Sequence, residues 1–253
     1  MILFEDVYKA FGRNRVLRGC TVDVREGETL TIIGGSGSGK SVTLKLMLGL
    51  LKPDRGRILV DGRDITEMPE EDLSEVQRQF SYVFQGGALF DSLTVGENVA
   101  FGLEQLGAHP PEEIERIVKE KLALVGLQGI EGLKPSELSG GMRKRVSIAR
   151  SIAMSPKYLF YDEPTTGLDP IMSDVINDLI VDLHRKLGQT GVVITHDMRS
   201  AYKISSRIAM LYEGKIVQVD TPEGIKNSSD PLVKQFVTGS AQGPIQMKVR
   251  AYE

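Results

Sequence analysis

The sequence predicts an α/β fold, and three stretches carry that prediction. TLTII at residues 29–33 reads as a buried strand, passes directly into the glycine-rich GGSGSGKS at 34–41, and continues as VTLKLMLGLL at 42–51, which reads as a helix. YLFYDE at 158–163 and GVVITHD at 191–197 are two more short apolar runs, and each ends in ionisable residues. Between them, SDVINDLIVDLHRKLG at 173–188 places Ile176, Leu179, Ile180, Leu183 and Leu187 on one helical face. Alternation of this kind is that of a sheet with helices packed on it. The order of the strands in that sheet is not readable from the chain.

The elements follow in order. ILFEDVYKAF at 2–11 and VLRGCTVDV at 16–24 mix alternation with turns and read as strands, as do RGRILVDGRDI at 55–65 and FSYVFQ at 80–85. From about residue 90 to 150 the chain reads as a mostly helical lobe. Within it Ile114, Ile117, Val118, Leu122 and Val125 form one face, Pro111 suits a first helical turn, Glu112 and Glu113 suit its positive end, and Gly126 closes it. A second helix follows LSGGM at 138–142. IAMLYEGKIVQVD at 208–220 reads as a hairpin turning at Gly214. The last stretch, ending GSAQGPIQMKVRAYE, has weak periodicity and reads as an extension lying on another surface, or as disorder.

Bulk properties exclude several classes. A net charge of −3 gives no general attraction to nucleic acid. Cys20 is the one cysteine, so no internal disulfide forms. No run of about 18 apolar residues occurs, and MILFEDVYKAF lacks the layout of a secretory signal, so membrane association is expected to be peripheral or through a partner.

The chemistry concentrates at three strand ends. Gly34, Gly35, Ser36, Gly37, Ser38, Gly39, Lys40 and Ser41 match G-x-x-x-x-G-K-[ST] in full, between a strand and a helix. Glycines let backbone N–H groups curl round phosphates, and the helix start that carries Val42 adds a favourable field. Lys40 is expected to reach the β- and γ-phosphates of ATP, and Ser41 to hold Mg2+. Asp162 is expected on the metal side and Glu163 as general base towards the attacking water. His196 follows another strand and can donate to a phosphate oxygen. His109 and His184 carry no such pattern.

LSGGM followed by RKRVSIARSIAMSP resembles the signature of ATP-binding cassette (ABC) proteins, and the phosphate loop, Gln85, YLFYDE, TGLDP at 166–170 and His196 stand in that family's order. The resemblance covers nearly the whole chain. It implies a P-loop NTPase with a RecA-like core and antiparallel β-subdomain over 1–89 and 151–229, a helical subdomain over 90–150, and a C-terminal extension over 230–253. It also implies that Phe11 stacks on adenine and that Gln85 contacts Mg2+ and the attacking water while sensing a membrane partner. Ser139, Gly140 and Gly141 then touch the γ-phosphate held by a second copy, and Asp169 crosses that interface. Two chains thus make two full sites, closed by ATP. The stretch near 85–101 is implied to receive a multispanning permease, with Leu89, Phe90, Leu93 and Val95 as candidate contacts.

FQGGALFDSLTVGENVAF, PSELSGGMRKR, DEPTTGLDP and DPLVKQFVTGSAQGP look similar to the ATPase of bacterial Mla/Mce-type phospholipid transporters. That resemblance implies lipid cargo, Mce-domain proteins in the periplasm, in some systems a STAS-domain subunit, a location at the cytoplasmic face of the bacterial inner membrane, and a tail reaching the second ATPase copy. Leu168 stands where some close relatives carry glutamine. An importer or exporter with a small-molecule cargo would use the same engine. Repair or translation cassettes usually carry long coiled-coil insertions or two cassettes in one chain, and neither is present.

Overall fold

The computed structural model describes residues 1–246. Strands β1 (Ile2–Phe11) and β2 (Asn14–Val24) form a hairpin, and β3 (Thr29–Ile33) leads into helix α1 (Lys40–Met47). β4 (Arg55–Val60), the two-residue β5 (Arg63–Asp64) and α2 (Glu70–Gln77) bring the chain to β6 (Phe80–Val83). The helical lobe is α3 (Val95–Leu106), α4 (Pro111–Leu124), a single 3-10 turn at Pro135–Glu137 and α5 (Gly140–Ala153). β7 (Tyr158–Asp162), α6 (Pro170–Leu187), β8 (Thr190–Thr195), α7 (Met198–Ile204), β9 (Arg207–Tyr212), β10 (Lys215–Asp220), α8 (Pro222–Lys226) and α9 (Pro231–Thr238) follow.

Two sheets form. β2-β1-β4-β5 is antiparallel, and β10-β9-β3-β8-β7-β6 is parallel from β9 to β6, with β10 antiparallel at its edge. Central strands alternate apolar side chains between two cores. In β7, Tyr158 and Phe160 join the core shared with the antiparallel sheet, while Leu159 and Tyr161 join the core under the helical lobe. β8 does the same, with Val192 and Ile194 on one side and Val193 on the other. This two-sided burial explains why these strands read as continuous apolar runs.

The strand order places the site. β3, β8 and β7 are neighbours and run parallel, so the loop after Ile33, the acids after Tyr161 and the histidine after Thr195 leave the sheet side by side. Ligands of open α/β sheets gather at such carboxyl ends.

Local departures from the sequence reading have local causes. The strand expected through Gln85 stops at Val83, so Phe84 and Gln85 stand outside the sheet. α6 starts at Pro170 because the Asp169 carboxylate accepts hydrogen bonds from the Ile171 and Met172 backbone N–H groups. α1 ends at Met47, just before Gly49 turns left-handed at φ 67°. The C-terminal stretch is not uniformly irregular: Pro231–Thr238 is helical, capped by Asp230, and residues 230–246 rest on their own chain. The tail contact expected with a second copy falls in part on residues 247–253, which lie outside the described residues.

Candidate functional site

The phosphate loop is shaped by close approach. A Cβ at Gly34 would lie 2.4 Å from the Leu211 carbonyl oxygen of β9, so only glycine lets the loop leave β3 here. Gly39, left-handed at φ 109°, caps α1 without a side chain, which leaves the first N–H groups of the helix available to an anion. Lys40 Nζ donates to the Gly34 and Gly35 carbonyls at 2.8 and 3.1 Å. Burial pulls the Lys40 ammonium below its usual range, and Glu163 and then Asp162 offset part of that fall. The ammonium is thus desolvated and held by neutral carbonyls, a state that a phosphate would improve.

One cleft brings Ser36, Gly37, Lys40 and Ser41 together with Gln85, Asp162, Glu163 and His196. Val42 is not among its walls; its side chain packs on the core below. Asp162 Oδ2 accepts a 2.5 Å hydrogen bond from the Tyr82 hydroxyl. Burial, and then that bond, push the Tyr82 phenol up, so it remains a donor. The donors offered to a cation are the Ser41 hydroxyl, the Gln85 amide oxygen and the Asp162 carboxylate. Among the described residues no cluster of three or more His, Cys, Asp or Glu could hold a metal by itself. Such an oxygen set fits Mg2+, which completes its shell from phosphate and water rather than from a protein cage. Tyr82→Phe is expected to raise the magnesium concentration needed for half-maximal turnover about tenfold, measured by magnesium titration of the ATPase rate.

Glu163 is held firmly. It adopts φ 47°, in the left-handed region, and its N–H donates to the Ile194 carbonyl at 2.9 Å. Oε2 accepts from Thr166 Oγ1 at 3.2 Å and Thr195 Oγ1 at 3.1 Å, and Oε1 lies 2.9 Å from His196 Nδ1. The Glu163 side chain is 12% exposed and that of His196 64%, so the carboxylate is enclosed while the imidazole, bonded to it, faces the open cleft.

Phe11, at the end of the β1–β2 hairpin, is 49% exposed, with Lys9 Nζ 5.6 Å from its ring centre. A half-exposed aromatic ring at that point suits a stacking partner. Ser139, Gly140 and Gly141 are not part of the cleft. Ser139 caps α5, its Oγ accepting from Met142 N–H at 3.2 Å, and it stands exposed beside Gly140. Gly141 is covered by Met172, whose Cε would be 2.3 Å from an added Cβ. Asp169 acts here as the cap of α6, on the segment that packs against this turn.

The helical lobe grips the loop after Gln85 through groups that sequence reasoning missed. Lys144 donates to the Gln85 carbonyl, and Arg150 to the Gly87 and Ala88 carbonyls at 3.2 and 2.8 Å. Asn98 accepts from Phe90 N–H at 2.8 Å and donates to the carbonyls of Phe90 and Thr94 at 3.1 and 2.9 Å. An asparagine inside the apolar run of α3 was the available signal for this clamp, and the structure buries it fully. Of the four candidate partner contacts, Val95 is a correction: it is wholly buried under the lobe, because its N–H and that of Gly96 donate to the Leu133 and Glu131 carbonyls and draw that loop over it. Leu89 packs on the same core, whereas Phe90 is exposed and Leu93 half-buried. An apolar groove lies instead between Leu48, Leu50, Phe80 and Phe84.

Comparison with known proteins follows the same lines. The pattern of the family described as ABC transporter matches residues 17–166. The methionine import ATP-binding protein MetN of Geobacillus kaustophilus is 43% identical over 242 residues, covering 94% of this chain and 70% of the relative. The intermembrane phospholipid transport system ATP-binding protein MlaF of Escherichia coli is 37% identical over 251 residues, covering 99% and 93%. Among solved structures, the ATP-binding cassette MJ0796, dimeric in a post-hydrolysis state bound to ADP and Pi, superposes with a TM-score of 0.79 at 32% identity, covering 88% of this chain and 99% of that one.

Proposed function

The chain belongs to the ABC transporter family and hydrolyses ATP, and from that premise we propose that it is the nucleotide-binding half of a homodimer that powers an Mla/Mce-type phospholipid transporter through a membrane permease. The dimer rests on one observation: the cleft holding Lys40 and Glu163 contains no signature residue, while Ser139 and Gly140 are exposed elsewhere on the same chain. A second copy supplies the missing wall.

The residues divide the work. Lys40 exchanges the Gly34 and Gly35 carbonyls for the β- and γ-phosphates. Glu163, with Oε2 already held by Thr166 and Thr195, accepts the water proton on Oε1. The water oxygen bonds to the γ-phosphorus as the bridging P–O bond breaks, giving ADP and phosphate. His196 turns to donate to the γ-phosphate. Ser41, Gln85 and Asp162 would hold Mg2+, which when bound would neutralise phosphate charge. Phe11 stacks on the adenine.

Support for a phospholipid cargo is the alignment with MlaF across 99% of this chain, tail included. The 43% identity to a methionine import ATPase favours the second reading, a small-molecule transporter. No described helix is long and apolar enough to cross a membrane. In this reading attachment runs through the permease, at the cytoplasmic face of the inner membrane. The groove at Leu48, Leu50, Phe80 and Phe84 receives a permease segment; Leu50 is 63% and Phe84 48% exposed, beside the loop that carries Gln85. Phe84→Asp is expected to weaken permease association at least about 30-fold in a pull-down titration while ATP binding persists. Gentle membrane solubilisation and mass identification of copurifying proteins test the cargo. A permease with Mce-domain protein, with or without a STAS-domain subunit, supports the lipid reading; a permease with a solute-binding protein overturns it.

A further inference from the structure

The phosphate loop borders a second hollow. Gly37 and Ser38 form one side, Arg15 and Val16 of β2 another, and Ile245 and Gln246 of the C-terminal segment a third. Ser36 and Gly37 also line the cleft of Lys40 and Glu163, so the two hollows meet at the crest of the loop. The Ser38 hydroxyl at this junction is buried and, among the described residues, has no hydrogen-bond partner.

The C-terminal wall is built, not draped. Gln235 is 8% exposed, and its Nε2 donates to the Ser240 and Ile245 carbonyls at 3.2 and 3.1 Å while its Oε1 accepts from Ile245 N–H at 2.6 Å. A Cβ at Gly243 would lie 2.4 Å from Gln235 Cδ, so the chain crosses the glutamine only as glycine. Ile245 packs against the cluster containing Val233 and Phe236. One buried amide thus fixes the backbone that presents Gln246 to the hollow.

A triphosphate seated at Lys40 and Ser41 must carry its nucleoside onward. The second hollow lies beside the β1–β2 hairpin that ends in Phe11, and it adjoins the phosphate cleft over the loop crest. We propose that residues 240–246, clamped by Gln235, form a wall of the nucleoside end of the ATP site, so that the set of this segment tunes ATP affinity. Gln246 offers an amide donor and an acceptor, the pair that suits a ribose or purine edge. The proposal rests on the phosphate site described above and adds a residue set outside its motifs.

The test compares a non-hydrolysable ATP analogue with inorganic tripolyphosphate by calorimetry on the full chain. Gln235→Ala and Gly243→Val are each expected to lower analogue affinity about fivefold to tenfold, the worth of roughly one hydrogen bond, and to leave tripolyphosphate affinity unchanged. In the unaltered chain the analogue slows amide exchange over 240–246 and tripolyphosphate does not. Unchanged analogue affinity in both variants overturns the wall, as does an equal loss of both ligands, which would mean that the loop itself had collapsed. Failure of the unaltered chain to bind either ligand would overturn the phosphate site first.

Discussion

Glu163→Gln lowers ATP turnover at least about 100-fold and leaves nucleotide bound. The amide keeps the size of the carboxylate and can still engage Thr166, Thr195 and His196, so the left-handed turn at residue 163 has its supports. What is lost is a group able to take the water proton. ATP then persists at the interface, and a dimer accumulates that size-exclusion chromatography with light scattering detects. A chain that stays monomeric with saturating ATP and turns it over at the normal rate refutes the base assignment.

Lys40→Ala removes ATP binding, by more than about 100-fold in affinity. Charge-assisted hydrogen bonds contribute about 1.5–3 kcal/mol each, and the ammonium is placed to make more than one with phosphate. The variant also leaves the Gly34 and Gly35 carbonyls without the donor they have now. Calorimetric titration with ATP is the measurement. Retained micromolar binding would show that the backbone cradle and helix field suffice without the lysine.

The two variants draw on parts of the site that were legible in sequence for a physical reason. The phosphate loop, the acids at 162–163 and His196 each follow an apolar strand, and a parallel sheet brings strand ends together whatever lies between them. Partners that act at second hand were not legible. Tyr82, Thr166 and Thr195 are ordinary residues in ordinary places until Asp162 and Glu163 are seen to accept their hydroxyls. The apolar groove was missed because Leu50 and Phe84 come from separate segments, and Val95 was misread because a short apolar run does not say which of its members a capped helix turns inward. The Thr94–Glu97 capping box fixes that choice by setting where α3 begins. The fold of the tail was missed because its apolar stripe, Leu232, Val233, Phe236 and Val237, spans only two helical turns, and the segment after it is held by the single Gln235 amide rather than by any repeating pattern.

The exposure of Ser139 and Gly140 away from their own cleft has a genetic consequence. With Gly140 completing the partner's site as proposed, a chain defective at Lys40 and a chain defective at Gly140 are each expected to be inactive as homodimers. In a mixed dimer both defects fall on the same composite site, because the damaged loop of one chain faces the damaged signature of the other. The second site then joins an intact loop to an intact signature. Where one intact site suffices, two such null alleles carried together are therefore expected to complement each other, whereas two alleles that both damage the loop are not.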